Sequence, residues 1–430
     1  MRRRKFLRNT AAAGLGSIVA KGLPSSAEGT ESKAPEVTAA AASRSGATFS
    51  TNFEGGSLGK VIRVTDTCTR CILLGEVDQF GRNRQISWYY FRIDGAPHSE
   101  LTIDFTDIVG EYNFRPGAQA ITPDTPPVYS YDNQHWTHVA KENWTAVASS
   151  MRLRIKPAQP RLWIAHVPPY TNQHLARLLE STKDAPELEY QVIGKSVQGR
   201  DIPMLTITSP DRAPEQKKVV WLMFRQHSWE AGSSWVGDGA IRFLLSSDPI
   251  AARIRKDAIF KILPMQDPDG VFRGGVRFNA YGYDLNRNWD ADDPVKMSEI
   301  TAARNAILNW ADAGKRIDFF LSLHNDETNE YLTPPLSPKF SELGQRVFDE
   351  LKRTTSFDPS RAYDANPPKA KPPAPGRMQV PEGLYSKRPI AAFLMEQKIA
   401  YSGKLGRWPT VEDRLEFGKG LVKSIWTSLA

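Results

Sequence analysis

Cysteine is nearly absent from this 430-residue sequence, in which Cys68 and Cys71, within the string CTRC, are the only two. A lone CxxC is compatible with a disulfide, a redox-active pair or half of a zinc site. No second CxxC is present to complete a four-cysteine zinc site. We therefore interpret the two residues as ordinary buried or bridged cysteines.

The sequence also lacks a strong excess of charge of one sign. Its formal net charge is +8. Six positive residues precede the first acidic residue, Glu28, and without them the excess is only about +2. Such a balance argues for neither nucleic acid nor a membrane surface as a partner.

The first 27 residues have the pattern of a targeting segment. The basic string RRRKFLRN precedes the short apolar run TAAAGLGSIVA and the small-residue stretch PSSAEG. The apolar run is too short to span a bilayer, so we expect no stable membrane anchor. The form Arg-Arg-x-Phe-Leu resembles a bacterial twin-arginine signal, which predicts a periplasmic or secreted protein. The alternative is an unstructured basic tail.

Residues 28–47 contain almost no large apolar side chain and are interpreted as a disordered linker. From 48 to 165, short alternating runs such as SELTIDFTDI lie between turn clusters, which predicts an antiparallel β-sandwich. From 166 to 430, near-continuous apolar runs such as VVWLMFRQ alternate with segments of helical spacing. This part is predicted to be an α/β domain with a mostly parallel, mixed sheet.

Polar side chains stand at the ends of three predicted strands. VVWLMFRQ leads to His227, FFLSL leads to His324, and FLM leads to Glu396. Ligand sites in open α/β sheets collect beyond the carboxyl ends of the strands. A catalytic zinc takes three protein ligands and keeps one open position, and His227, Glu230 and His324 supply a two-histidine, one-carboxylate set. Taken alone, the HxxE pair is equally compatible with a surface His and Glu at the start of a helix.

The surrounding motifs make the pattern specific. The strings HSWEAGSSW, FKILPMQDPDGV, GGVRF and GYDLNRNW follow one another between 227 and 289. They resemble the zinc metallocarboxypeptidases of the carboxypeptidase A clan, and within it the cytosolic-carboxypeptidase-like branch. FEGGSLGKV and SWYYFRIDG resemble that branch's N-terminal sandwich. The resemblance therefore implies an N-terminal β-sandwich followed by an α/β/α zinc carboxypeptidase domain with one Zn²⁺ per chain.

When the family's ligand positions are carried over onto the matching motifs, the resemblance assigns His227, Glu230 and His324 to the metal. It implies that Asn286 and Arg287 bind the terminal carboxylate of the substrate, for which a guanidinium offers two parallel hydrogen bonds.

The same resemblance implies two catalytic residues. Glu396 is the expected general base toward water and then the acid toward the leaving amine. Arg277, in GGVRF, is expected to polarise the scissile carbonyl.

Several positions depart from the family pattern. Ser228 and Trp229 replace the usual Pro-Gly between the first two ligands. A tyrosine that assists the reaction in carboxypeptidase A has no clear counterpart, and Tyr385 is the nearest candidate for this substrate-binding role.

The expected partners are peptide or protein C-termini, and the sequence indicates no oligomeric state. Two alternatives to an exopeptidase remain. One is a related zinc amidase, deacylase or murein-peptide hydrolase, and the other is a non-catalytic binding protein.

Overall fold

The computed structural model describes residues 46–81, 83–112, 114–366 and 373–430. The predicted signal segment, and nearly all of the predicted linker, lie outside these residues. The first part of the described chain is made of short strands, because polar and apolar residues alternate there between turns. These strands are β1 (Thr48–Ser50), β2 (Val61–Arg63), β3 (Cys68–Ile72), β4 (Tyr90–Asp94), β5 (Leu101–Thr106), β6 (Gly110–Tyr112), β7 (Arg115–Ala118), β8 (Val128–Ser130), β9 (Thr137–His138), β10 (Trp144–Val147), β11 (Ser150–Ile155) and β12 (Arg161–Ala165).

Ten of these strands form two five-stranded sheets, in the orders β1-β4-β12-β8-β9 and β10-β11-β5-β3-β2. All of the pairs are antiparallel except β3 with β5, which is parallel. Apolar side chains from both sheets, including Phe91, Ile103 and Ile164, form one buried cluster, as expected for a sandwich. Cys71 is buried in this cluster and Cys68 is half-buried, and both are free thiols. The strands β6 and β7 form a separate hairpin.

The second part of the chain alternates strands and helices. It contains α1 (Asn172–Thr182), β13 (Leu188–Lys195), β14 (Asp201–Ile207), β15 (Lys218–Phe224), α2 (Ala231–Leu244), α3 (Pro249–Asp257), β16 (Ala258–Leu263), α4 (Pro268–Arg273), α5 (Ser298–Asp312), β17 (Phe319–Asp326), β18 (Tyr331–Leu332), α6 (Ser341–Thr354), α7 (Val380–Lys387), β19 (Ala392–Lys398) and α8 (Val411–Leu429). Short 3-10 helices cover Lys141–Asn143, Pro214–Gln216 and Pro338–Phe340.

The seven strands of this part form one sheet in the order β13-β14-β16-β15-β17-β19-β18. The four central strands β16, β15, β17 and β19 are parallel, and the outer pairings are antiparallel. The runs KVVWLMF and FFLSLHND are almost wholly buried, because helices cover both faces of the sheet. The predicted fold class, an N-terminal antiparallel sandwich followed by an α/β domain with a mixed sheet, is confirmed.

Helix α2 is held close to α8 by two glycines. A Cβ atom on Gly239 would lie 2.1 Å from the carbonyl oxygen of Leu415, and one on Gly418 would lie 2.1 Å from that of Val236. Only glycine permits this approach. The contact matters for the site because α2 begins directly after Glu230. No helix in the described ranges has the length and hydrophobicity needed to cross a lipid bilayer.

Candidate active site

Three neighbouring parallel strands bring the predicted residues together. His227 follows the end of β15, His324 lies near the end of β17, and Glu396 lies on β19 directly opposite His324 in the strand register. Because parallel strands end at the same edge of a sheet, residues from distant parts of the sequence meet there. The edge combines two imidazoles and two carboxylates.

The loop between β15 and α2 is held by a buried arginine. Arg225 has a positive φ of 60°, which is uncommon for a residue with a side chain. Its guanidinium donates to the Ser228 carbonyl oxygen through Nε at 3.0 Å and Nη2 at 2.7 Å, and to Ser234 Oγ at 3.0 Å. These bonds turn the chain so that His227 and Glu230 point to the same place.

His227, Glu230 and His324 form a cluster that fits a metal ion. One potential ligand atom from each lies within 4.8 Å of the other two, and all three residues are buried. Nδ1 of His227 lies 2.6 Å from Glu230 Oε1, and Nδ1 of His324 lies 2.9 Å from Glu230 Oε2. Nitrogen and carboxylate donors are the ligands that catalytic zinc uses, and a cation between them relieves the crowding of their lone pairs.

A second group of residues orients the two histidines. Nε2 of His227 lies 3.0 Å from Asp284 Oδ1, and Nε2 of His324 lies 3.0 Å from Gln226 Oε1. Both partners can accept hydrogen bonds, so an imidazole that donates from Nε2 leaves its Nδ1 lone pair available to a metal ion beside Glu230. Ser322 Oγ donates to the same Gln226 oxygen at 2.6 Å. The contacts at Nε2 are therefore compatible with the tautomer that metal binding requires.

Asp284 also links the metal cluster to Arg277. Nε of Arg277 donates to Asp284 Oδ2 at 2.8 Å. Burial opposes ionisation of Asp284, but Arg277 and His227 outweigh it and hold the pKa of this carboxyl well below its usual range. Sequence reasoning missed both Asp284 and Gln226. Their only sequence signal is proximity to assigned motifs, since Asp284 stands two residues before Asn286 and Gln226 directly before His227.

Glu396 faces the same space without a hydrogen-bond partner for its Oε2 atom. Burial raises the pKa of Glu396 well above its usual range, and the negative Glu230 adds to the effect, while Arg277 acts in the opposite direction. Glu396 is half-buried, and a buried carboxyl oxygen without a partner is costly for a fold unless a ligand or a reaction uses it. The sequence predicts Glu396 as the general base, and the side chain shares the cavity with His227 and Glu230, where a bound cation would lower its pKa.

These residues line one cavity of about 480 Å³. Two of the metal cluster, His227 and Glu230, lie on its wall together with the other predicted groups, Arg277, Asn286, Arg287 and Glu396. The remaining wall includes side chains from the N-terminal sandwich: Arg84, Gln85, Ile86, Ser87, Tyr112 and Gln119. The sandwich therefore forms part of the site, which the sequence did not predict.

Glu76 is a second contribution from the sandwich. Its Oε2 atom accepts hydrogen bonds from the backbone N–H groups of Val276, Arg277 and Phe278, and its Oε1 atom accepts one from Arg273 at 2.8 Å. The segment that carries Arg277 is therefore held across the interface by one carboxylate.

Tyr385 is not among the residues that line the cavity. It lies on α7, is half-buried, and packs against the main hydrophobic core rather than the cavity. The sequence had offered Tyr385 only as the nearest tyrosine before Glu396, without the usual family spacing, and on α7 this side chain packs against the core. Two other tyrosines, Tyr112 and Tyr331, line the cavity instead.

Two family comparisons match the chain. Residues 175–329 match the zinc carboxypeptidase family, and residues 49–167 match the cytosolic carboxypeptidase N-terminal domain. Together the two segments make up more than half of the chain. The match contains all three residues of the metal cluster, whereas Glu396 lies beyond it.

Curated relatives and solved structures agree with this match. Cytosolic carboxypeptidase 6 of Mus musculus is 28% identical over 306 residues, with 65% of this chain and 53% of that protein covered. An uncharacterized protein of Zymomonas mobilis is 26% identical over 325 residues, with 74% and 79% covered. The chain thus spans about half the length of the mouse relative.

Among solved structures, a metallo-carboxypeptidase from Burkholderia cenocepacia has a TM-score of 0.77 at 22% identity, with 89% of this chain and 99% of that chain covered. A metallo-carboxypeptidase from Pseudomonas aeruginosa, in complex with (2-guanidinoethylmercapto)succinic acid, has a TM-score of 0.74 at 23% identity, with 89% and 100% covered. At these low sequence identities, the structural similarity establishes the fold of the chain.

Proposed function

Because the chain belongs to the zinc carboxypeptidase family, we propose that it is a zinc-dependent metallocarboxypeptidase that hydrolyses the C-terminal bond of peptides or proteins. The observation that carries the proposal is that two members of the potential metal cluster, His227 and Glu230, share one cavity with Asn286 and Arg287, the predicted carboxylate-binding pair. A hydrolase that acts at chain ends needs both a metal site and a group that binds the terminal carboxylate. An amidase that acts on other acyl groups does not need a carboxylate-binding pair.

The chain's own residues supply four roles. His227, Glu230 and His324 hold the zinc, which when bound polarises a carbonyl group and lowers the pKa of water to about 7. Glu396 accepts the proton of the attacking water and passes it to the leaving amine.

Arg277 stabilises the negative charge that develops on the carbonyl oxygen of the scissile bond. Its guanidinium is held by Asp284, so little reorganisation is needed as the charge forms. Asn286 and Arg287 bind the terminal carboxylate and set the distance from the chain end to the bond that breaks. Arg287 is well placed for this role because it is largely buried, where a charged hydrogen bond is strong.

The proposal is tested by zinc content and by release of amino acids from a mixed peptide library, before and after chelation. We expect near-stoichiometric zinc and chelator-sensitive release of C-terminal residues. Glu396→Gln should lower kcat at least 100-fold with zinc retained. Arg287→Ala should raise KM for peptides with a free C-terminus.

Arg154→Ala, on an exposed part of β11, is the matched control for the Arg287 variant and should behave as wild type. Absence of zinc would show that the metal assignment is wrong. Zinc without release of any residue would favour the amidase, deacylase or murein-peptide hydrolase alternative. A non-catalytic binding protein would show neither release nor sensitivity to Glu396→Gln.

We also infer that the protein is exported to the periplasm or the medium through a twin-arginine-type pathway. The support is the string RRRKFLRN followed by TAAAGLGSIVA. Cell fractionation after expression of the full chain tests this, and recovery in the cytoplasm alone would contradict it.

A further inference from the structure

The hairpin formed by β6 and β7 brings a sandwich residue to the two arginines of the peptidase site. Tyr112, at the end of β6, lines the cavity. Its ring centroid lies 5.2 Å from the Cζ atom of Arg277, within the range of a cation–π contact. Its hydroxyl lies 3.4 Å from Nη2 of Arg287. One tyrosine thus contacts both cations that the proposed function places around the substrate.

The direction of the contact with Arg287 is set by chemistry. A guanidinium only donates hydrogen bonds, so the Tyr112 oxygen must be the acceptor. The phenolic proton is then directed away from Arg287 and is available to an acceptor in the cavity. A carboxylate bound by Arg287 would lie beside this hydroxyl and accept a hydrogen bond from it.

The same arrangement gives Tyr112 the place that the sequence had assigned to Tyr385. Tyr385 packs against the core, whereas Tyr112 lines the cavity and is 39% exposed. The phenol comes from a different part of the chain, since Tyr112 lies on β6, 175 residues before Arg287.

We propose that Tyr112 is a substrate-binding residue of this peptidase site, whose hydroxyl donates to the terminal carboxylate of the substrate beside Arg287. The proposal rests on the proposed carboxypeptidase function. It also gives the sandwich a direct part in substrate binding.

The test compares Tyr112→Phe with wild type in the zinc-loaded full chain. Steady-state kinetics are measured on peptides with a free C-terminus, and binding of 2-benzylsuccinic acid and (2-guanidinoethylmercapto)succinic acid is measured by calorimetry. Loss of one hydrogen bond to a carboxylate should raise KM and both dissociation constants about tenfold, with kcat changed less than threefold. Zinc content should be unchanged.

Tyr190→Phe is the matched control, because Tyr190 is an exposed tyrosine on the edge strand β13. Tyr112→Ala removes the ring as well, and should lower kcat in addition because Arg277 loses its aromatic neighbour.

The outcomes separate the two proposals. If wild type releases C-terminal residues or binds the probes, and Tyr112→Phe matches it in KM and affinity, Tyr112 has no role and the proposed function stands. If wild type neither releases residues nor binds the probes, both proposals fail.

Discussion

The orientation of the two histidines in the metal cluster depends on neighbours that accept hydrogen bonds from Nε2. Asp284 accepts from His227 and also holds Arg277, so one carboxylate serves the metal side and the oxyanion side of the site. Neutralising Asp284 removes the charge that aligns His227 and Arg277. Metal sites commonly lose 10- to 100-fold in affinity when such an orienting group is removed.

We therefore expect Asp284→Asn to weaken zinc binding about 10- to 100-fold and to lower kcat as well. Competition with a chromophoric chelator measures the zinc affinity directly. Asp318→Asn, on a carboxylate that accepts from Val219 away from the cavity, is the matched control. Unchanged affinity in Asp284→Asn would mean that His227 keeps its orientation without this partner.

At the scale of elements, the residue directly after β12 is a histidine whose surroundings are largely aromatic. His166 is almost wholly buried, and neither ring nitrogen has a hydrogen-bond partner. Its ring lies 5.4 Å from that of Tyr89 and 6.0 Å from that of Trp229. Burial lowers the pKa of His166 to about 3, so the folded protein keeps this imidazole neutral.

This histidine should make folding stability sensitive to acid. The unfolded chain binds a proton below about pH 6.5, while the folded chain does not until about pH 3. The contribution of His166 is therefore complete above about pH 6.5 and is lost as the pH falls, by about 1.4 kcal/mol per pH unit. We expect His166→Phe to reduce this slope between pH 6.5 and 4.

Chemical unfolding at several pH values measures the effect, with exposed His98→Phe as the matched control. Equal slopes in wild type and His166→Phe would show that His166 does not carry the acid sensitivity.

At the scale of the whole molecule, the sandwich and the seven-stranded sheet meet at the cavity. Glu76 crosses this interface to three consecutive backbone amides around Arg277, and Tyr112 crosses it to the arginine side chains. Buried amides that lose their acceptor are costly, so the segment carrying Arg277 should move when Glu76 is removed.

Glu76→Ala should accordingly lower kcat/KM about 10- to 100-fold and leave zinc affinity unchanged, because no metal ligand contacts this carboxylate. Glu76→Gln keeps the oxygen acceptor and should recover part of the activity. Glu54→Ala is the matched control, since Glu54 also bonds across to the second part of the chain, at the Asn172 amide, but not near Arg277. Full activity of Glu76→Ala would mean that the Arg277 segment holds its position alone.

The sequence by itself determined the features that are local. HxxE directly after a buried strand places two ligands i and i+3 on one short loop, and the apolar runs of the central strands are recognisable because both of their faces are covered. The fold class and the family followed from such motifs, and zinc as the cofactor followed from the family.

Only the tertiary structure showed how the distant residues meet and which residues the sandwich adds to the site. The order of β15, β17 and β19 in the sheet brings His324 and Glu396 to His227, and the packing of the sandwich brings Glu76 and Tyr112 to the arginines. Tyr385 is the converse case, because it was the nearest candidate along the sequence but packs against the core on α7. Spacing along a chain constrains neighbours within a few residues, whereas contacts across strands and sheets depend on how buried surfaces pack.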